Sequence, residues 1–552
     1  MEYTGAEIVL NCLKEQNVDT IFGYPGGAVI PLYDALFNYG QDFFHVLTCH
    51  EQGAVHAADG YARSTGKIGV CFATSGPGAT NTVTGIATAY MDSVPLVVFT
   101  GQVPQSLLGR DSFQEIDITA VTFPITKYNY MVKSIEELPL IIREAFSIAM
   151  DGRKGPVLID IPKNIFITKG EYMQQSQPVK VKEISIMDED LLWEAAKAID
   201  ASQKPVIYAG GGVIHASAES ELLDVAEKAS IPVANTLMSL GCFPMSHPLS
   251  LGLVGMHGHK ETNLAVTESD LIIAVGARFS DRVIGAKDAF APKAKIIHID
   301  IDSSEIGKNI DIHLPLKGDI KNILQTLKDR ISKKDNRQWL NSIRSLAPKG
   351  KQALNAFSPS NILALAQKVV GENSIIVTEV GQHQMWAAQY CKVNSSRRFL
   401  TSGGLGTMGY GLGASIGAQI ANPTKKVLHI AGDGSFRMNC NELATVSKYN
   451  LPIITLLFNN GSLGMVRQWQ ELFQEERYSQ TELTDDVDYM MLASAYRLNG
   501  AKVETLAELE EALSQAVASN KATVIECKID KNVGVYPIVP PGMPIDNMII
   551  EH

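Results

Sequence analysis

A chain of 552 residues is too long for one hydrophobic core and calls for about three or four domains. Its 45% apolar and 19% charged content is that of an ordinary globular protein, and a net charge of −11 with no long basic run excludes nucleic acid as a partner. Seven scattered cysteines without a C-x-x-C pair exclude a disulfide frame or a zinc-thiolate site and fit a reducing compartment. No apolar run reaches the ~18–20 residues of a membrane span. The start, MEYTGAEIVLNCLKEQ, has early acids and no basic-then-apolar leader. These features predict a soluble, cytoplasmic protein.

In chain order, helical periodicity alternates with short β-branched runs: KIGVCFAT, VPLVVFTG, GPVLIDIP, KPVIYAGG, DLIIAVGA, AKIIHIDID, SIIVTEVG, KKVLHIAGDG, LPIITLLFNN and ATVIECKID. That alternation predicts an α/β fold of parallel sheets with helices on both faces. Two stretches break it. Residues 166–190 are polar and end in acids suited to starting a helix; residues 331–358 are charged and then Pro/Ser-rich. The expected units are residues 1–170, 188–335 and 358–552.

The first and third units share a design. VCFATSGPG and VLHIAGDGS each read as a strand running into a glycine turn. Pro95 lies as far beyond Gly76 as Pro452 lies beyond Asp433, and each proline opens another apolar strand. The spacing fits a duplication in which only the third unit carries Asp at the turn and Asn459–Asn460 at the next strand end.

Gly404, Gly406 and Gly409 form a G-x-G-x-x-G that by itself would suit a dinucleotide. A ribose-binding acid at Asp433, however, needs neither the surrounding G-D-G-S nor a polar pair on the next strand. Ligands of open parallel sheets sit at the carboxyl ends of strands. One carboxylate, one Asn carbonyl and a backbone carbonyl would suit Mg²⁺, which takes oxygen ligands and borrows others from phosphates. The GSF turn then offers free helix-start amides to the phosphate charge.

GDGS-x(23)-NNG resembles the signature of the thiamine-diphosphate enzymes. Along its whole length the chain resembles the acetohydroxyacid (acetolactate) synthase family, in FGYPGGAVIPLYDAL, HEQGAVHAADGYARSTGK, TSGPGATN, DSFQEIDI, GMHG, GARFSDRV, EVGQHQMWAA, GTMGYGLGAS, GDGSFRMN and GMVRQWQ. The resemblance implies three doubly wound parallel-sheet domains of the thiamine-diphosphate enzyme type: pyrimidine-binding, central FAD-binding and diphosphate-binding. It implies decarboxylation of pyruvate and ligation of the two-carbon product to a second 2-keto acid, giving 2-acetolactate or 2-aceto-2-hydroxybutyrate. This is the first common step toward valine, leucine and isoleucine. Thiamine diphosphate, Mg²⁺ and a structural, non-redox FAD are the implied cofactors.

Residue by residue, the resemblance makes Glu51 the carboxylate that shifts the cofactor's aminopyrimidine to its imino form. It makes Met408 the wedge that bends the cofactor. Gln382 and His383, with Gly406, Gly432, Gly434, Ser435 and Met465, fall at cofactor positions. Asp433 and Asn460 would bind Mg²⁺ by side chain, and Ser462 by its carbonyl. Arg282 matches the group that receives the acceptor's carboxylate, as a guanidinium fork can. Trp469 matches the residue that favours 2-ketobutyrate by packing on its extra methyl group. Gly27, Gln114 and the channel positions Phe113, Lys127, Met256 and Val466 complete the active-site set. Without the resemblance, Phe113 and the methionines would be core residues. For FAD the implied contacts are Arg153, Gly210, Gly211, Gly212, His257, Gly258, Gly276, Arg278, Asp300 and Asp319, although YAGGGVIHA lacks the dinucleotide fingerprint.

The family also implies a homodimer or homotetramer, with Glu51 of one chain serving a cofactor held by another, and leaves room for a small regulatory subunit. Alternatives on the same fold are a flavin-dependent pyruvate oxidase, a flavin-free fermentative acetolactate synthase, and an inactive cofactor-binding scaffold. Arg282 and RQWQ argue against the first. GMHG and GARFSDRV argue against the second, and intact Glu51, Asp433 and Asn460 against the third.

Overall fold

The computed structural model describes residues 2–175, 188–347, 356–483 and 487–551, so the expected breaks at 166–190 and 331–358 lie partly outside the described residues. Three six-stranded sheets, each parallel throughout, organise the chain. In the first, β1 (Thr20–Gly23), β2 (Phe44–Leu47), β3 (Gly69–Ala73), β4 (Leu96–Gln102), β5 (Tyr128–Met131) and β6 (Pro156–Pro162) lie in the order β2-β1-β3-β4-β6-β5. The central sheet comprises β7 (Pro205–Ala209), β8 (Val233–Asn235), β9 (Ser250–Leu253), β10 (Leu271–Val275), β11 (Lys295–Asp300) and β12 (Leu314–Lys317), ordered β9-β8-β7-β10-β11-β12. The third comprises β13 (Ile375–Thr378), β14 (Phe399–Leu400), β15 (Val427–Gly432), β16 (Ile454–Asn459), β17 (Asn499–Val503) and β18 (Thr523–Lys528), ordered β14-β13-β15-β16-β18-β17.

Counted within each unit, the first and third sheets both run 2-1-3-4-6-5. The central sheet runs 3-2-1-4-5-6, the classic dinucleotide-binding order, with its switch point between β7 and β10.

Strand alternation distributes the apolar side chains. In β4, Val97 and Phe99 enter a core private to the first unit. Val98 between them enters a core that also holds Ile375, Val377 and Tyr410 of the third unit. The first and third units therefore share one apolar interior, while the central unit's core takes, among the described residues, only Ile545 from outside it. Trp339, Leu340 and Ile343, on helix Arg337–Ser345 just past the expected limit at 335, pack into that central core. The acids at the end of the first break do start a helix: Asp188 caps Glu189–Ala201, accepting from the amides of Asp190 and Leu191.

Helix Glu51–Thr65 crosses helix Tyr410–Ala421 at the seam of the first and third units. A Cβ at Gly60 would lie 2.1 Å from the Ala414 carbonyl oxygen, and one at Gly417 would lie 1.8 Å from that of Ala57. The two contacts exchange under a shift of 357 positions. The same shift carries Gly76 onto Asp433, Pro95 onto Pro452 and Glu51 onto Met408. The duplication is thus a local two-fold relation, and it sets a glutamate and a methionine at equivalent helix starts. Gly417→Ala must push the two backbones apart, so it should cost about 1–3 kcal/mol or more in denaturant unfolding. Gly27→Ala, whose Cβ meets nothing within 4 Å, serves as the comparison and should leave the midpoint nearly unchanged.

Candidate functional site

The pocket opens at the carboxyl ends of β13, β15 and β16. Its walls include Gln382, His383, Met408, Asp433, Asn460 and Val466, and all its lining residues lie between 380 and 466. Of the residues singled out from sequence, Gly432, Gly434, Ser435, Ser462 and Met465 also line it, whereas Glu51, Gln114, Gly27, Phe113 and Lys127 do not.

Local backbone chemistry builds each wall. After β13, Gly381 adopts φ +151°, a left-sided conformation that turns the chain into helix Gln382–Tyr390. His383 then packs on Gly432, where a Cβ would meet its ring at 2.6 Å. Burial depresses the His383 imidazole to about 4, so it is neutral at pH 7, and its Nε2 has no hydrogen-bond partner among the described residues.

β15 ends in the turn Asp433–Phe436. Asp433 is buried, its carboxyl is pushed up to about 6 by that burial, and its Oδ2 has no partner among the described residues. After β16 the two asparagines divide. Asn459 Nδ2 donates to Glu526 Oε1 at 2.6 Å and Asn459 does not line the pocket, whereas Asn460 does: its Nδ2 donates to Gln382 Oε1 at 3.2 Å and its Oδ1 accepts from the Ser462 N–H at 3.1 Å. Ser462 donates its hydroxyl to the Thr481 carbonyl at 2.9 Å. A buried, unpartnered carboxylate oxygen beside a carboxamide and helix-start amides is a fit for a hard cation carrying phosphate. Among the described residues no three His, Cys, Asp or Glu gather to hold a metal unaided, so the phosphate would have to complete the ligand set.

Met408 rides on the glycine loop 402–409. Gly409 N–H donates to Glu379 Oε2 at 2.8 Å, Leu412 N–H to Glu379 Oε1 at 3.1 Å, and the Ser435 hydroxyl to Glu379 Oε2 at 2.7 Å. Burial works against the charge of Glu379, but His429 beside it, with Ser435, holds its carboxyl below the usual range. Glu379 was given no role from sequence, though it is the first residue of the quoted EVGQHQMWAA.

Glu51 opens its helix in a buried position and accepts from Asn81 Nδ2 at 2.9 Å. The two preceding amides, of Cys49 and His50, donate to Glu442 of the third unit. Sequence reasoning also missed Glu442, because the contact spans nearly 400 positions. Phe113 is 87% exposed, which removes its reading as a core residue. Lys127 donates to the carbonyls of Ile148 and Asp151 at the end of helix Leu138–Met150, and burial lowers its pKa to about 8.

Beyond the pocket, Trp469 stands on helix Gly464–Phe473 with an Nε1 unpartnered among the described residues. The Arg282 guanidinium lies 5.5 Å over its ring and reaches Met256 Sδ at 3.8 Å. Arg282, Met256 and Trp469, far apart in the chain, therefore meet.

At the central switch point, Gly210 N–H donates to the Val275 carbonyl and Gly212 N–H to that of Gly276. A Cβ at Gly210 would stand 2.1 Å from the Gly276 oxygen, so the glycines close the two strand ends together. Gly211 lies between Gly210 and Gly212 in the same turn, Gly258 packs against Gly255 and Asn263, and the buried His257 has an Nδ1 unpartnered among the described residues. Burial raises Asp300 to about 6. Arg153 is paired with Glu305 at 2.7 Å, and Arg278 donates to the Met91 carbonyl at 2.6 Å. Asp319 has a structural occupation: it caps helix Ile320–Arg330, accepting from Asn322 N–H at 2.9 Å.

Three family models match in chain order: the N-terminal TPP binding domain of thiamine pyrophosphate enzymes over residues 3–121, their central domain over 192–327 and their C-terminal TPP binding domain over 379–527. The fold and site thus define a thiamine pyrophosphate enzyme. A probable acetolactate synthase large subunit of Methanocaldococcus jannaschii is 47% identical over 563 residues, covering 99% of this chain and 95% of the relative. The acetolactate synthase isozyme 2 large subunit of Escherichia coli is 44% identical, covering 99% of both. An acetolactate synthase of Mycobacterium bovis is 45% identical, covering 99% and 91%. The chain belongs to the acetolactate synthase large-subunit family.

Glu379→Ala would strand two buried amides and a hydroxyl. It should lower unfolding free energy by at least about 1–3 kcal/mol, measured by denaturant titration, with Glu379→Asp intermediate.

Proposed function

We propose that the chain decarboxylates pyruvate and joins the two-carbon fragment to a second 2-keto acid, pyruvate or 2-ketobutyrate. The observation that carries this reading is the meeting of Arg282 with Trp469 beside the pocket of Asp433 and Asn460. A carboxylate-binding cation over an aromatic wall suits an acceptor 2-keto acid.

Thiamine diphosphate, when bound, supplies an acidic thiazolium carbon and an electron sink for decarboxylation. Asp433 Oδ2, the Asn460 carbonyl and the Ser462 backbone carbonyl would hold Mg²⁺ against its diphosphate. Neutral His383 and Gln382 would approach the same group. Met408, fixed through Gly409 by Glu379, presents an apolar wedge. Asn81 occupies one oxygen of Glu51, leaving the other to exchange a proton with the aminopyrimidine in a buried setting that strengthens the contact. Arg282 would orient the acceptor's carboxylate, and Trp469 would pack on its alkyl end.

Every wall of the pocket comes from the third unit, so Glu51 would reach it from a second copy. The exposed Phe113, Met438, Leu405 and Val466 are apolar surface that such a dimer would cover. A tetramer is the alternative assembly. The printed names of relatives, "large subunit", support a smaller regulatory partner for this chain too. The 3-2-1-4-5-6 sheet, its glycine closure and His257 support FAD as a structural occupant of the central unit, with Arg153, Arg278 and Asp300 nearby. None of the described helices is long and apolar enough to cross a membrane, in keeping with a cytoplasmic site of action.

Two substitutions test the reading. Glu51→Gln should retain thiamine diphosphate binding but lose about 10²-fold or more in turnover, read as acetoin formed on acidifying a pyruvate incubation. Near-wild-type turnover at saturating cofactor would refute the role. In pyruvate–2-ketobutyrate mixtures, Trp469→Leu should shift the product ratio toward parity by about 1–3 kcal/mol of discrimination while acetolactate still forms from pyruvate alone. Chromatography of both products across substrate ratios decides it: an unchanged ratio would make Trp469 plain packing.

A further inference from the structure

All three units converge on one short turn, Met91–Asp92–Ser93, at the end of helix Val83–Met91. The Asp92 carboxylate is buried and accepts from the amides of Gly403 at 3.1 Å and Gly404 at 2.7 Å, and from Arg63 Nη2 at 2.9 Å. Arg63 is itself held by Asp59 and donates to the Thr401 carbonyl at 3.0 Å. The same helix grips the far end of the glycine loop, where the Thr88 and Thr407 hydroxyls stand 2.7 Å apart, one residue before Met408. A Cβ at Gly404 would sit 2.7 Å from Asp92 Oδ1, so that residue must be glycine for the grip to form.

The other side of the turn faces the central unit. Arg278 donates to the Met91 carbonyl, His215 Nε2 lies 3.3 Å from the Asp92 carbonyl, and Arg153 Nε donates to Ser93 Oγ at 2.8 Å. Arg278 and Arg153 are two of the groups assigned above to flavin, and His215 lies on the short helix that follows the Gly210–Gly212 turn. Ser93 has φ +60°, a left-handed conformation held only because its neighbours over-determine it.

We propose that Asp92 is a positioning residue that links the flavin-type site of the central unit to the glycine loop carrying Met408, so that each cofactor strengthens binding of the other. This rests on the thiamine diphosphate and flavin readings above. Ordering Arg153 and Arg278 around a dinucleotide fixes the 91–93 turn. A fixed turn presents Asp92 to Gly403 and Gly404, and a loop already ordered has less freedom left to lose when thiamine diphosphate binds. By thermodynamic reciprocity the two enhancements are equal. A flavin that transfers no electrons thereby acquires a function.

The test uses full-length protein stripped of cofactors, with saturating Mg²⁺. Thiamine diphosphate is titrated by quenching of intrinsic fluorescence, to which Trp386 in the pocket wall contributes, with and without saturating FAD. FAD is titrated by its own fluorescence with and without thiamine diphosphate. In the wild type each cofactor should tighten the other by the same factor, about fivefold or more. Asp92→Asn keeps the shape but cannot satisfy both glycine amides and Arg63. It should still bind both cofactors, with the factor falling to about one. Ser93→Gly removes only the acceptor for Arg153 and relieves the positive φ, so it should fold even where Asp92→Asn does not, and it too should lower the factor. A merely structural role would lower the melting temperature and both affinities while leaving the factor at its wild-type value, and that result overturns the proposal. FAD that binds without tightening thiamine diphosphate in the wild type overturns the coupling alone. FAD that does not bind overturns the flavin reading and the coupling with it.

Discussion

The seam between helix Glu51–Thr65 and helix Tyr410–Ala421 is the contact on which the rest of the molecule depends. Two helices approach backbone to backbone only where side chains are absent, and Gly60 and Gly417 provide that absence reciprocally. Close approach lets the first and third sheets share one apolar core. It also brings into a single dry space charges that would be expensive apart. Burial works against the Arg63 charge, but Asp59 and Asp92 outweigh it and keep the guanidinium firmly protonated. Removing one partner of such a cluster typically costs about 3–5 kcal/mol, because the remaining charge is left uncompensated. The seam is thus apolar at its centre and ionic at its edge, and both parts require the same glycines.

A second consequence is division of labour between related halves. The shift of 357 positions places Glu51 and Met408 at equivalent helix starts, and Gly76 and Asp433 at equivalent turns. One copy carries a buried glutamate, the other a methionine and a buried aspartate that line the pocket. Each helix start rests on a buried glutamate of the third unit, Glu442 beneath Cys49 and His50 and Glu379 beneath Gly409 and Leu412. Buried carboxylates accepting backbone amides are rigid supports, since losing any one bond leaves a desolvated group unpaired. The pocket side chains themselves stay comparatively unencumbered: Asp433 Oδ2 and His383 Nε2 are buried yet unpartnered among the described residues. Rigid support beneath and unmet polar groups above is the signature of a preorganised ligand site.

Sequence alone determined the fold class and most of the pocket, for reasons of local physics. All ten β-branched runs are strands, because a strand buried on both faces must be apolar along its length. The strands that were not legible, such as Thr20–Gly23, Tyr128–Met131, Phe399–Leu400 and Asn499–Val503, are short or lie toward sheet edges, where polar residues are tolerated and the apolar signal fades. Asp433 and the asparagine pair stood out because a glycine turn at a strand end and a polar pair on the next strand leave a fixed local spacing, whereas Gln382, His383 and Ser462 came only through the family resemblance; all of these but Asn459 line the pocket. What tertiary structure decided is everything that joins distant segments: that Asn459 turns to Glu526 while Asn460 faces the pocket, that Arg282 lies over Trp469, and that Asp319 is spent on a helix cap. Glu442 and Asp92 lie in no quoted motif, and Glu379 lies in one, EVGQHQMWAA, whose pattern does not disclose its partners. Their partners are backbone amides, which every residue possesses, so no pattern of side-chain types could announce them before the chain had folded.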